Sequence, residues 1–342
     1  MIPQTIKVLV PLDGHITRCS GAGIIKSLAL SDIELRVYCI APTPDIGALY
    51  LANHYELCPQ LKDSGYMDWV VAFCRLHQID VILPDAADFN HFATQKDFIR
   101  QACGSVVLAQ PVPVIAMTEN KLSTAVWLQQ QGLPHPRFAS ASDVKAVRTL
   151  VATVGFPLIA KPYVGEGSKG VLLVRDEAEL LQAMQRPDTL LQQYVGTDEA
   201  EYTVCCCIDN AGTLQGSFVF RRKLWNGISV HCEVDRNSAV LSASEQIASR
   251  LGGRGSMNIQ LRFDEGRPLC LEVNARFSGT VGMRAQLGFN DVAFCLRHYL
   301  FKEPAVPLPV ITRGIAIRTF TEVYPPELAG RSIELARLPG SR

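Results

Sequence analysis

Two runs near the carboxyl third of the chain alternate apolar and polar residues with period two: 257–262 (Met-Asn-Ile-Gln-Leu-Arg) and 271–276 (Leu-Glu-Val-Asn-Ala-Arg). That is the side-chain alternation of a β-strand, and the Gly- and Pro-containing segment between them predicts a hairpin. Centred on Gly266, the hairpin sets Gln260 opposite Glu272 and Asn258 opposite Asn274 on one polar face, with Arg276 at its end. Carboxylate and carboxamide oxygens on one face suit a hard cation such as Mg²⁺, which keeps places for water and nucleotide phosphates. An ordinary antiparallel hairpin with a wet outer face has the same alternation.

Upstream, apolar runs at 7–10, 35–40, 81–83 and 106–108 alternate with helix-like stretches such as Tyr66–His77, the pattern of a parallel sheet with covering helices. The first run leads into Asp13-Gly14-His15 and then Ser20-Gly21-Ala22-Gly23, a loose glycine-containing βα turn. On its own it fits a tight turn as well as a nucleotide site. Asp85 and Asp88 follow the run at 81–83, at the carboxyl edge where open α/β sheets bind ligands; loop capping fits them equally. Pro111 and Pro113 mark a boundary. Thr118 is placed to cap a helix through Lys121 and Trp127 to Gly132, and a second helix runs over 142–154 to Gly155. A strand ending at Lys161, the loop 165–170 (Gly-Glu-Gly-Ser-Lys-Gly) and a strand at 171–174 follow. One more strand is expected at 314–318.

With 342 residues the chain is long enough for two or three subdomains. Its 33 basic and 33 acidic residues give no net field for nucleic acid or a membrane surface. No apolar stretch is long enough for a membrane span, so a soluble cytoplasmic protein is expected. The 11 cysteines form no CxxC pair, and Cys205-Cys206-Cys207 lies inside an apolar run, which fits buried thiols in a reducing compartment.

The 165–170 loop matches G-x-G-x-x-G but precedes a strand and not a helix, so it fails the structural condition of the dinucleotide fingerprint. What remains is a hairpin loop whose small residues let backbone N–H groups approach phosphate oxygens, with Lys161 and Lys121 able to bring charge to the same place. A surface hairpin with solvated lysines is the plain alternative. Arg221-Arg222-Lys223 beside Trp225-Asn226-Gly227 reads as a loop touching phosphates or an acidic substrate, or as a solvated charge run. His231 could assist there or be structural.

In this order, a helix lysine, a strand lysine, a glycine hairpin, the connector Gln193-Tyr194-Val195, then 201–204 (Glu-Tyr-Thr-Val), Gln260-Leu261 and 272–276 (Glu-Val-Asn-Ala-Arg), the chain resembles the ATP-grasp superfamily over roughly residues 112–300. Within it, the chain looks like small stand-alone relatives of the carbamoyl-phosphate synthetase large subunit, including amino-acid ligases. The resemblance implies an α/β fold with α+β lobes: an ATP-grasp module preceded by a Rossmann-like parallel domain. The expected divisions are 1–111 for that N-terminal domain, 112–190 for the small lobe and 191–342 for the C-terminal lobe.

It further implies that Lys121 and Lys161 contact ATP phosphates, with Gly165, Gly167, Ser168, Lys169 and Gly170 closing over them and Lys223 nearby. Gln193, Tyr194 and Val195 would surround adenine, and Glu201 would hold ribose. Gln260, Glu272 and Asn274 would bind Mg²⁺ or Mn²⁺, Arg276 would face the transferred phosphoryl group, and Arg284 would anchor a substrate carboxylate. Two places depart from the pattern: Gln192 and Gln193 stand where an acidic residue is common, and Gln260 where a metal carboxylate is usual. The implied chemistry is ATP-dependent joining of a small carboxylate to an amine or thiol through an acyl phosphate, with ADP and phosphate released. Two alternatives stay open: a carbamate or carboxylate kinase, and a regulator that binds ATP without turnover. No nucleic-acid or membrane partner is expected, and homodimers are common among such relatives.

Overall fold

Parallel neighbours in a sheet need a crossover connection, and the intervening helices of the N-terminal third supply it. Ile6–Pro11 (β1), Leu35–Ala41 (β2), His54–Leu57 (β3), Val81–Ile82 (β4) and Val106–Val107 (β5) form a parallel sheet in the order β3-β2-β1-β4-β5. The computed structural model describes residues 5–13, 19–85, 88–165, 167, 169–197, 201–320 and 322–324; Gly14, His15 and Ser168 lie outside the described residues. Helices Ser20–Ala29 (α1), Tyr66–His77 (α2) and Phe89–Cys103 (α3) cover the sheet, and α2 has the limits its pattern predicts. The short polar β3 (His-Tyr-Glu-Leu) escaped sequence reading, because an outer strand with one covered face carries no apolar run.

After Pro111 two helices stand where one was expected: Val112–Glu119 (α4) and Lys121–Gln130 (α5). Thr118 is not the cap; its hydroxyl donates to the Val114 carbonyl inside α4. Asn120 caps α5, its side-chain oxygen accepting from the Ser123 N–H. A second sheet follows from Phe138–Ser140 (β6), Leu158–Pro162 (β7), Leu172–Val174 (β8) and Thr189–Gln193 (β9), antiparallel in the order β6-β9-β7-β8. Val144–Val154 (α6) and Glu177–Met184 (α7) pack on it. The division expected at 190/191 falls inside β9, which pairs with both β6 and β7, so that strand stays with the small lobe.

The third sheet holds Glu201–Ile208 (β10), Leu214–Trp225 (β11), Ile228–Val234 (β12), Gly255–Asp264 (β13), Arg267–Asn274 (β14) and Ile315–Ile317 (β15), in the order β14-β13-β10-β11-β12-β15. Ser238–Leu251 (α8) covers one face. Phe289 and the segment around Val281–Gln286 (α9) and Asp291–Cys295 (α10) cover the other. Both faces of β10 are therefore covered over 205–207, which explains three consecutive cysteines in one strand: Cys205 belongs to the cluster with Phe289, Cys206 to that with Ile247, and Cys207 to the core of the first sheet. Burial pushes the Cys206 thiol up to about 12, so it is a packing group and not a nucleophile. All eleven cysteines are free.

The N-terminal domain is seated on the C-terminal lobe by a glycine contact. A Cβ on Gly282 of α9 would stand 3.0 Å from the Gly23 Cα of α1, so the two helices touch backbone to backbone. Among the described residues, no helix is long and apolar enough to cross a membrane.

Candidate active-site cleft

The hairpin of β13 and β14 turns at Glu265-Gly266, both with positive φ, and pairs Asp264 with Arg267 through Leu261 with Cys270. A β-bulge then shifts the register, so that Gln260 faces Glu272 and Asn258 faces Asn274. The turn is thus two residues, not centred on Gly266, and the expected pairing arises because Leu271 is the extra residue. Without that shift Gln260 would face Leu271. A bulge also lets neighbours share a face: Leu271 and Glu272 both line the cavity beneath the small lobe.

That cavity, of about 380 Å³, lies between the glycine hairpin joining β7 to β8 and the third sheet. Lys121, Lys161, Gly165, Gly167, Lys169, Gln193, Tyr194, Val195, Glu201, Gln260, Glu272, Asn274 and Arg276 all line it, as expected from sequence. Seven basic side chains stand against two acidic ones on its walls, in a chain with no net charge. An anion of several charges fits such a lining. Apolar Ile159, Val171, Leu224, Ile228 and Leu271 supply a slot for a flat ring beside the Gln193–Val195 connector.

The lysines are positioned from the small lobe. Lys121, the first residue of α5, donates from Nζ to the Gly165 carbonyl at 2.5 Å, and its backbone N–H donates to the Tyr163 carbonyl at 2.8 Å. Its ammonium also lies 3.8 Å from the Glu272 carboxylate. Lys161 points inward from β7 and donates to Gln192 Oε1 at 2.7 Å. Burial pushes its ammonium down to about 8, with Glu272 opposing and Lys121 adding to the fall.

Three expected roles are corrected. Arg284 is 1% exposed and does not line the cavity; it makes two hydrogen bonds to Asp291, at 2.8 and 2.7 Å, and donates to Ser278 Oγ at 2.9 Å. Its guanidinium is committed to a buried ion pair behind the cavity wall, so it cannot anchor a substrate carboxylate. Lys223 is exposed on β11, because strand alternation turns Arg222 inward and its two neighbours outward. Glu201 lines the cavity, but its two carboxylate oxygens are taken: Oε1 accepts from Arg222 at 2.7 Å and Oε2 from Arg262 at 2.6 Å. Burial pushes that carboxyl up, yet the two arginines more than offset it and hold it below the ordinary range. Glu201 thus aims two cations into the cavity rather than offering free oxygens to a ribose. Gly170 also stays off the cavity wall, packed beside Pro162. His231 sits on β12 outside the lining.

Of the expected Arg221-Arg222-Lys223 run, Arg222 is the residue that lines the cavity, and sequence reading assigns no role to Arg262, Arg318 or Thr203, which line it too. Arg318 is set by hydrogen bonds from Nε to the Ser229 carbonyl at 2.9 Å and from Nη2 to the Gly279 carbonyl at 2.6 Å. With Arg276, Ser278, Thr280, Cys19 and Ser20 it builds the end of the cavity nearest the N-terminal domain. Asp85, 2% exposed, takes the Ser20 hydroxyl and so fixes the first turn of α1 there. Asp88 is buried at the start of α3 and does not reach the cavity.

A divalent cation fits this donor set in part. Glu272 and Asn274 bring carboxylate and carboxamide groups to the same wall. Gln260 is engaged: its Oε1 accepts from Arg222 Nη2 at 2.9 Å. The hard-cation donors of this face are therefore first Glu272 and Asn274.

A family model described as "ATP-grasp in the biosynthetic pathway with Ter operon" matches residues 185–323. An uncharacterized protein, y4rH, of Sinorhizobium fredii is 30% identical over 295 residues, covering 80% of this chain and 59% of the relative. The carbamoyl phosphate synthase large chain of Deinococcus deserti is 26% identical over 254 residues, 69% of this chain and 23% of that protein. The chain therefore spans little more than half of the first relative and under a quarter of the second. N5-carboxyaminoimidazole synthetase from Staphylococcus aureus, complexed with ADP, shares the fold with a TM-score of 0.66 at 15% identity, covering 92% of this chain and 81% of that one. The chain carries an ATP-grasp domain on an ATP-grasp fold, with carbamoyl phosphate synthase large chains among its homologues.

Proposed function

We propose that the protein is an ATP-dependent ligase that joins a small carboxylate to an amine through an acyl phosphate. The observation that carries this reading is the cavity lining, seven basic side chains against two acidic, one of which is Glu272 beside Asn274. A triphosphate with its cation matches that arrangement in charge and in donor type.

In this reading Gly165 and Gly167 offer backbone N–H groups to the phosphates, and Lys121, Lys161 and Lys169 neutralise them. The connector Gln193–Val195 and the apolar slot take adenine. Glu272 and Asn274 would hold Mg²⁺, which would supply charge screening of the phosphates. Arg276, two residues beyond the end of β14, stabilises charge on the phosphoryl group as it moves to a carboxylate oxygen. The acceptor carboxylate lies against Arg318 and Arg276, with Ser278 and Thr280 as hydrogen-bond donors. The amine then attacks the activated carbonyl, and phosphate leaves. The N-terminal domain closes this end and excludes water, so preorganised charges act in a low-dielectric space.

The carbamoyl phosphate synthase homologues favour a second reading, in which the phosphorylated carboxylate or carbamate is itself released. ADP formation with Mg²⁺-ATP, measured across a panel of carboxylates with and without amines, separates the two. A ligase needs both substrates and gives a condensed product by mass; a kinase needs only the carboxylate. No ADP with any carboxylate would overturn both.

A further inference from the structure

The N-terminal domain carries a second cluster of ligating side chains, away from the cleft. The pleat of β3 puts His54 and Glu56 on the same face, and α2 ends over that face with His77. His54 Nε2 lies 2.9 Å and His77 Nε2 3.0 Å from the same carboxylate oxygen, Glu56 Oε1. The three ligating atoms lie within 4.8 Å of one another. None of the three residues lines the ATP-grasp cavity.

We propose that His54, Glu56 and His77 form a binding site for a late first-row divalent cation of the Zn²⁺ type. Metal–ligand bonds of about 2.0–2.1 Å at tetrahedral angles set ligand atoms about 3.3 Å apart. The two contacts to Glu56 Oε1 are already near that spacing, and small side-chain rotations admit an ion. Two imidazoles with one carboxylate select Zn²⁺, Co²⁺ or Ni²⁺ over Mg²⁺, which prefers an all-oxygen shell.

The imidazoles are held before any ion arrives. Tyr38, beside His54 on β2, has its ring centroid 5.3 Å from each histidine ring, and Phe73, one turn before His77, lies 4.4 Å from the His77 ring. This aromatic wall limits the directions in which the rings can turn, so less order is lost when a cation is bound. His77 is also the last residue of α2, where the helix presents its negative end. Lys7 approaches that end but donates to the His77 carbonyl and to Gln78 Oε1. All three ligands are partly exposed, which gives an ion a path in and leaves its fourth position to water. The occupied site would fasten the outer strand β3 to α2.

The test is Co²⁺ titration of the full chain followed by its visible absorption, with equilibrium dialysis of Zn²⁺ alongside, in excess Mg²⁺ to saturate oxygen sites. One Co²⁺ bound by wild type and by Glu272→Ala, with affinity falling at least about tenfold in His77→Asn and in Glu56→Gln, is the expected result. Near-UV circular dichroism checks that both variants keep their packing, and the conservative Glu56→Gln covers failure of His77→Asn to fold. Binding that survives in folded His77→Asn and Glu56→Gln, or is lost in Glu272→Ala instead, would overturn the assignment. So would the absence of a Co²⁺ band in wild type at a roughly hundredfold excess of the ion.

Discussion

In the proposed nucleotide site, Lys161 should make binding a proton-linked event. Its ammonium, pushed down to about 8 by burial against an ordinary value of 10.5, is partly neutral in the free protein just above neutral pH. Polyphosphate oxygens placed against it stabilise the charged form and return its pKa toward the ordinary value. The charged form is lost as pH rises through the depressed pKa, so the weakening of binding appears above it and not below. At about pH 9 the free lysine is about one-tenth protonated and the bound one nearly fully so, giving an uptake of about 0.9 proton per nucleotide. Between about pH 7 and pH 9 the dissociation constant should rise roughly tenfold. Isothermal titration of a non-hydrolysable ATP analogue with Mg²⁺, in buffers of different ionisation enthalpy, measures the uptake directly. Lys161→Arg keeps the charge at every accessible pH and should abolish the uptake while retaining much of the affinity. An uptake near zero across this range, or one unchanged in Lys161→Arg, would refute the placement of phosphate at Lys161. The same depression means that in the free protein the protonated lysine costs up to about 3 kcal/mol, so urea stability should rise with pH between about 8 and 10.5.

Further outcomes follow from the cleft and its supports. Glu272→Ala should remove ATP turnover by at least about 10²-fold with circular dichroism unchanged, and full ADP formation in that variant would refute the cation assignment. Asp291→Ala leaves the Arg284 guanidinium buried without its carboxylate and should cost about 3–5 kcal/mol in urea unfolding; at a temperature where the variant is folded, the KM for each substrate should stay within about twofold. Glu201→Ala releases Arg222 and Arg262 together, so it should both destabilise by about 3 kcal/mol and raise the KM for ATP, a pairing that ribose contact alone would not give. Gly227 has φ +76°, and a Cβ there would stand 2.8 Å from the Gly167 carbonyl, so Gly227→Val should hold the two loops apart and raise the KM for ATP about tenfold in steady-state assays.

Much of this architecture is legible in the sequence because strong periodicity and turn chemistry act over short distances. The α/β N-terminal third, the glycine hairpin between β7 and β8, and the facing of Gln260 with Glu272 are of that kind. Even there the chain held a hidden step: the two-residue turn at Glu265-Gly266 and the bulge at Leu271 are two offsets of one register, and only their net effect shows in the alternation. Side chains that meet across distant strands are a different matter. Glu201, Arg222 and Arg262 sit on three neighbouring strands of the third sheet, and nothing local to Glu201 says that two arginines will take its oxygens. Arg284 misled for a related reason: a lone arginine after the β13–β14 hairpin looks available until Asp291, seven residues on, is folded back against it. His54 and Glu56 gave no signal, because their significance depends on a helix ending over them.

The local crowding of positive charge in a molecule of zero net charge also shapes how a ligand arrives. Seen from far away the protein offers an incoming polyanion no monopole, and the surplus of cations in the cleft is balanced by carboxylates spread elsewhere. Attraction begins only within about one Debye length, about 8 Å at physiological ionic strength, of the cleft mouth. Capture should therefore proceed by ordinary diffusion to the surface followed by short-range steering, with added salt slowing association modestly and hastening release much more.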